Sequence, residues 1–174
     1  MKEINDNFDI EEQRWIPLIG EFIIHSASIE DSVYRFNEKY LKKTLVQQKN
    51  LKTNNFENQL NLFEVIYAEK FKDRNYDKDL LQNFLTSSKR LRKTRNTIAH
   101  NSLGLVFEET LDRQIKLIGF EIENKERVDV SINFEEFKDS LKDMKECRDN
   151  LDTLMILDIE EEANRMASLI NKNE

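Results

Sequence analysis

Lys89-Arg90-Leu91-Arg92-Lys93-Thr94-Arg95-Asn96-Thr97-Ile98-Ala99-His100-Asn101 is the most basic run in an otherwise acidic chain, and it holds one of the two histidines. Leading into it, Leu80 or Leu81, Phe84, Ser88, Leu91, Arg95 and Ile98 recur at steps of three and four. That is the period of a helix with one face turned inward. It puts Arg95 on the inward stripe, where a guanidinium taken out of water requires a partner. After the run the period itself changes. Asn101-Ser102-Leu103-Gly104 has the chemistry of a helix stop. Beyond it Leu105-Val106-Phe107, Ile115 to Ile122, and Val128, Val130 and Ile132 read as three short strands, with Glu109 to Arg113 and Asn124-Lys125 as turns.

Working outward, Asn133 with Glu136 forms a capping-box pattern, and Ile132 with Phe137 matches the hydrophobic staple around it. Phe134, Phe137, Leu141, Met144, Cys147 or Arg148, Leu151 and Leu154 or Met155 then hold a helical period that is expected to continue through Ala163, Met166 and Ile170. Upstream, Asp77 caps the helix that carries the basic run, and Asp73-Arg74-Asn75-Tyr76 reads as a loop. Asn54 with Glu57 starts a second helix whose core face is Phe56, Leu60, Phe63 and Tyr67. After a polar leader, Trp15-Ile16-Pro17-Leu18 opens the first helix, proline being tolerated where no amide partner is needed. Its apolar set runs from Ile16, Ile19, Phe22, Ile23 and Ala27 to Ile29, Val33, Tyr34, Phe36 and Tyr40. So broad a set implies burial on two sides, one of them available to a dimer partner.

Composition agrees with a mainly α reading. The 174 residues suit a single domain, 39% hydrophobic content and eleven phenylalanines supply a core, and three glycines with one proline leave few interruptions. The expected fold is a helical bundle of four main helices at about 14–43, 55–71, 78–100 and 134–170, with a small antiparallel β meander inserted at about 103–132. Such a meander buries little alone and reads as an insertion on the bundle.

Charge and cysteine usage narrow the function. A net charge of −7 and an isoelectric point near 5.1 argue against broad coating of nucleic acid, while five basic residues between Lys89 and Arg95 allow one local positive cleft. Lone Cys147 excludes an intramolecular disulfide and fits a packed thiol in a reducing compartment. The leader has no apolar signal core, and no run is long enough to span a bilayer, so the expected setting is cytoplasmic with no membrane partner. No His-x-x-x-His, Cys-x-x-Cys, calcium loop or glycine-rich phosphate loop occurs, so neither a metal nor a cofactor is expected.

Arg95-Asn96-x-x-x-His100 resembles the R-x4-6-H signature of the HEPN (higher eukaryotes and prokaryotes nucleotide-binding) superfamily, and Arg95-Asn96-Thr97-Ile98-Ala99-His100 is similar to the RNxxAH form of its bacterial and abortive-infection members. The resemblance implies a HEPN-like helical bundle and a homodimer in which two motifs face each other, each supplying Arg95 and His100. It also implies a metal-independent endoribonuclease acting as a toxin or antiphage defence effector, with an antitoxin or defence-system protein as a further partner. Members that bind nucleotide or RNA without cleaving form an alternative, and a structural dimerisation protein is a third. In one variant of the motif a tyrosine stands two residues after the histidine; here that position is Ser102.

The residue chemistry suits RNA cleavage through the 2′-hydroxyl of a single-stranded or looped substrate. Histidine, with an ordinary pKa of about 6.5, takes or gives a proton near neutral pH. Arg95 keeps its proton and stabilises charge on phosphorane oxygens, and Asn96, one turn before His100, is placed to orient the imidazole or the phosphate. Lys89, Arg92 and Lys93 are the expected RNA-binding residues. Glu30, at helical spacing from Ile23, Ala27 and Tyr34, is the expected support for Arg95, with an exposed carboxylate as the alternative. His25 reads as a boundary histidine without chemistry.

Overall fold

The computed structural model describes residues 2–41, 55–74, 76–100, 104–107, 115–123 and 126–170. Among them the order is α1 (Lys2–Tyr40), α2 (Phe56–Lys70), α3 (Lys78–His100), β1 (Gly104–Phe107), β2 (Ile115–Glu123), β3 (Glu126–Asn133) and α4 (Phe134–Ile170). The chain is mainly α, with the sheet inserted between α3 and α4 as the change of period anticipates. Leu103 and the turns at Glu109 to Arg113 and Asn124-Lys125 lie outside the described residues, as does Ser102.

Two helix starts differ from expectation. α1 begins at Lys2 rather than near residue 14, so Pro17 sits inside it. The polar leader contains no glycine or proline, and Glu3 is an acid in the first turn, where the partial positive charge of the helix dipole favours it. Pro17 removes only the N–H that would serve the Gln13 carbonyl, a local loss that a long helix tolerates. At its other end α1 stops at Tyr40, before residue 43. The cap of α2 is Asn55, one residue past the Asn54 reading, which lies outside the described residues together with the connection from Lys42 to Thr53. The Asn55 backbone is extended, and its side chain accepts from the Asn58 amide at 3.0 Å.

Other boundaries follow the sequence. Asp77 Oδ1 accepts from the Leu80 amide at 2.9 Å, capping α3. Asn133 and Glu136 form the reciprocal box: the Asn133 amide donates to Glu136 Oε2 at 3.1 Å, and the Glu136 amide donates to Asn133 Oδ1 at 2.8 Å.

The chain divides into two compact units, Met1–Ala27 with Ser88–Lys145 and Ser28–Ser87 with Glu146–Glu174. The first holds the sheet, an antiparallel meander in the order β1-β2-β3. Gly104 pairs with Ile118 and Phe107 with Ile115, while Lys116 pairs with Asn133 and Glu123 with Glu126. Its aromatic centre is Trp15, whose ring lies 5.2 Å from Phe134 and 5.5 Å from Phe137; Phe137 in turn lies 5.5 Å from Phe22. Arg14 covers Phe134 from outside at 4.3 Å, and Lys145 pairs with Glu21 at 2.8 Å.

The second unit packs parts of all four helices around Phe63, whose ring is 4.8 Å from Phe36, 5.5 Å from Tyr67 and 5.7 Å from Phe84. Each such fully buried ring contributes roughly 1.5–3 kcal/mol by removal from water. Two polar side chains inside this core donate to buried acceptors. Tyr67 donates its hydroxyl to the Leu154 carbonyl at 3.0 Å, and Asn37 Nδ2 lies 2.9 Å from both the carbonyl and the Oε1 of Gln59. Buried Cys147 points its thiol at the Phe84 carbonyl, 3.8 Å away, as a packed thiol should. At the edge, Lys39 bonds Asp158 at 3.0 Å and Glu162 at 2.6 Å, Tyr40 donates to Asp158, and Lys70 pairs with Glu161.

Two expectations about inward faces are corrected. Ile16 and Ala27 on α1 are exposed, so the broad apolar set is not buried all round. Ala163 and Met166 on α4 are exposed too, because their three-residue step falls on the side of the helix away from the stripe that ends at Leu151 and Leu154. In both cases the helix offers more apolar residues than its neighbours cover.

Candidate functional site

The last three turns of α3 sort their residues by face. Leu91, Thr97 and Ile98 are buried, Lys89, Arg90, Lys93 and Asn96 are exposed, and Arg92, Thr94 and Arg95 are half-buried. Thr97 satisfies its buried hydroxyl by donating to the Lys93 carbonyl at 3.1 Å, one turn back along the helix. Lys89, Lys93 and Asn96 stand at relative positions 0, 4 and 7, which on a helix form one stripe, and the backbone of His100, the last residue of α3, continues it at position 11.

Arg95 is not on that stripe. Five residues span about 140° around a helix beyond one full turn, so Arg95 and His100 occupy different faces of α3. What joins the arginine to the stripe is Asn96, whose Oδ1 accepts from Arg95 Nη1 at 3.2 Å. Asn96 is exposed, and its amide nitrogen remains a donor beside the oxygen that the guanidinium engages. The sequence placed Asn96 one turn before His100; its bond to Arg95 was not legible there, because neighbours in sequence point 100° apart and meet only when one side chain is long.

Arg95 itself is half-buried, not removed from water as the inward stripe implied. In helix register it falls between buried Leu91 and Ile98, and its guanidinium reaches Asn96. Glu30 is likewise half-buried, between buried Ile29 and Val33, and so belongs to the boundary of α1 rather than its core. It falls in the second unit and Arg95 in the first, and each engages further groups.

The basic residues are not equivalent. Arg90 Nη2 is held by Asp143 Oδ2 at 2.8 Å, which neutralises it within the first unit. Lys89 and Lys93 are exposed, and Arg92, half-buried, has a partner of its own. Lys89, Lys93, Asn96 and the backbone position of His100 therefore make up one polar stripe of α3, its three described side chains exposed. His25, on α1, is half-buried with Nε2 3.7 Å from Glu21 Oε1. The carboxyl of Glu21 is held below its ordinary value first by its hydrogen bond to Lys145, so His25 shares a partner already taken.

Among the described residues no group of three or more His, Cys, Asp or Glu side chains is placed to hold a metal ion, and no helix is long and apolar enough to cross a membrane. No family model, curated protein or solved structure matches the chain.

Proposed function

We propose that the chain is a metal-independent endoribonuclease of HEPN type that cleaves single-stranded or looped RNA through its 2′-hydroxyl. The observation that carries the reading is the Arg95–Asn96 hydrogen bond, which ties the arginine of the motif to the exposed stripe that ends at His100. In the proposed reaction His100 moves the proton, Arg95 stabilises charge on the phosphorane, and Asn96 orients the phosphate or the imidazole. Lys89, Lys93 and Arg92 hold the strand. One histidine cannot serve readily as both base and acid, so the active form is a homodimer in which each copy supplies Arg95 and His100 to one cleft. A toxin or antiphage effector restrained by an antitoxin or defence-system protein is the setting that fits such an activity.

Purified protein should cleave unstructured RNA in the presence of a chelator, leaving 2′,3′-cyclic phosphate and 5′-hydroxyl ends, and 2′-O-methyl at the cut site should block it. Arg95→Lys should impair cleavage despite keeping the charge, because lysine lacks the fork that grips both Asn96 and a phosphate oxygen. Activity that disappears with chelator, or that survives His100→Ala, overturns the mechanism. The exposed Lys89 and Lys93 also favour a second reading, a HEPN-like module that binds RNA or nucleotide without cutting it. RNA binding by intact protein with no product at any protein concentration selects that reading.

A further inference from the structure

Beyond Leu154 no described residue of α4 is buried. Phe137, Leu141, Met144, Cys147, Leu151 and Leu154 form an inward stripe no more than 5% exposed, whereas residues 162–169 are all exposed. The positions that continue the stripe are Asp158, Glu161 and Arg165. A helical segment of about four turns is marginal in water without packing, so the contacts made by its charges decide whether the end of α4 stays down.

Those contacts converge on one place within the second unit. Lys39 and Tyr40 close α1, Lys70 closes α2, and the two ammonium groups lie over the Tyr40 ring at 5.1 and 4.9 Å. Lys39 Nζ reaches Asp158 at 3.0 Å and Glu162 at 2.6 Å, the Tyr40 hydroxyl donates to Asp158, Lys70 pairs with Glu161, and Arg74 stands 3.8 Å from Glu160. Carboxylates of α4 are thus set against the C-terminal ends of two helices, where the helix dipole is negative. The ammonium groups make that meeting attractive, and without them it turns repulsive. Lys39 keeps 35% and Lys70 29% of its side chain exposed, so dissolved salt reaches both pairs and weakens them. Burial holds the stripe from Phe137 to Leu154, and salt does not weaken that. We propose that α4 from Met155 to Ile170 is an arm held by an ionic latch, Lys39 and Lys70 against Asp158, Glu161 and Glu162. When the latch is screened the arm comes away from the ends of α1 and α2 and uncovers Lys39, Tyr40 and Lys70, while the stripe from Phe137 to Leu154 stays packed.

Hydrogen exchange of the full chain, resolved to peptides, tests the latch by comparing residues 155–162 with residues 137–154. Raising sodium chloride from about 0.1 M to about 1 M shortens the screening length from about 10 to about 3 Å; it should speed exchange in 155–162 about tenfold and leave 137–154 as it was. Lys39→Met with Lys70→Met should give the fast exchange already at low salt and remove its dependence on salt. Lys70→Glu should also speed exchange in 155–162, and adding Glu161→Lys, which restores the pair with its signs exchanged, should slow it again. That recovery separates the pair from a general loss of fold. Exchange in 155–162 that ignores both salt and the double methionine change would show an arm held by other means, and overturns the proposal. Acceleration that spreads equally to 137–154 would show loosening of the whole helix, and overturns it as well.

Discussion

In the closing turns of α3 the apolar residues Leu91 and Ile98 are buried and the cations Lys89 and Lys93 face water, whereas in the closing turns of α4 Ile156 and Ile159 face water and the carboxylates Asp158 and Glu161 are turned toward Lys39, Tyr40 and Lys70. Both segments have the same helical period. They differ in what the inward side carries: in α3 buried apolar residues, in α4 carboxylates met by ammonium groups and a phenol. A three-and-four spacing of hydrophobic residues therefore marks a helix without saying which side of it is inside. The exposed stripe of α3 should govern ligand chemistry, and the inward charges of α4 should govern stability.

The largest expected effect breaks or sustains the α3 half of that contrast. His100→Ala should lower RNA cleavage by about 10²- to 10⁴-fold, the usual contribution of a positioned proton donor or acceptor, while His25→Ala leaves the rate near that of the parent. A rate measured on synthetic single-stranded RNA that falls equally in both variants would detach the activity from the stripe.

For α4 the corresponding change is Asp158→Asn, which keeps the shape but removes the charge shared by Lys39 and Tyr40. It should destabilise the protein by about 1.5–3 kcal/mol, the range for hydrogen bonds to charged groups, with cleavage per folded molecule unchanged. Urea unfolding gives the first quantity and initial rates the second. An unaltered midpoint would mean that the cluster is only a solvated rim.

The same cluster gives a pH signature. Burial pulls the Lys39 ammonium down, but hydrogen bonds to Glu162, Asp158 and Tyr40 leave it above its ordinary value. Burial first, and then the Asp158 bond, pushes Tyr40 from 10.0 to about 12, and burial pushes Tyr67 to about 12. All three hold their protons more tightly when folded, so the stability they lend is complete below about pH 10 and is lost as pH rises through about 12. Unfolding free energies at about pH 9 and about pH 11.5 should therefore fall in the parent and fall less in Tyr67→Phe. A flat alkaline profile would contradict the burial of these phenols.

Smaller effects sharpen the boundary between the two behaviours. Asn133→Ala removes one half of the capping box at the start of α4 and should cost about 1 kcal/mol in thermal or urea melts. Lys93→Ala, on the exposed stripe, should shift stability by no more than about 0.5 kcal/mol while weakening RNA binding and flattening its dependence on salt.

These expectations also show what the sequence made legible. Caps with side-chain chemistry, Asp77 and the Asn133–Glu136 pair, fixed helix starts to the residue, and the loss of helical period after Gly104 announced the meander. The start of α1 was missed because a polar leader without glycine or proline carries no stop signal, and a proline at position 17 imitates a first turn. The Asn54 reading slipped by one residue because Asn54 and Asn55 offer the same side chain, and only backbone geometry distinguishes them. At the site, Arg95, Asn96 and His100 were recognisable as a motif. The degree to which Arg95 and Glu30 leave water was not, since a boundary position and a core position can share one helical phase.

Asn37 and Gln59 have a consequence that concerns alignment rather than strength. Asn37 Nδ2 serves two Gln59 oxygens in a dry core, yet Asn37 Oδ1 has no partner among the described residues, which offsets much of the gain. Their value lies in the alternatives they forbid. Sliding α2 along α1 by a single turn would set Gln59 against Val33 or Leu41 and, in one direction, Asn37 against Phe63, stranding polar groups that the present register pairs. One amide pair thus acts as a detent that lets two greasy helices settle in a single register, as isolated asparagines do at the seams of coiled coils.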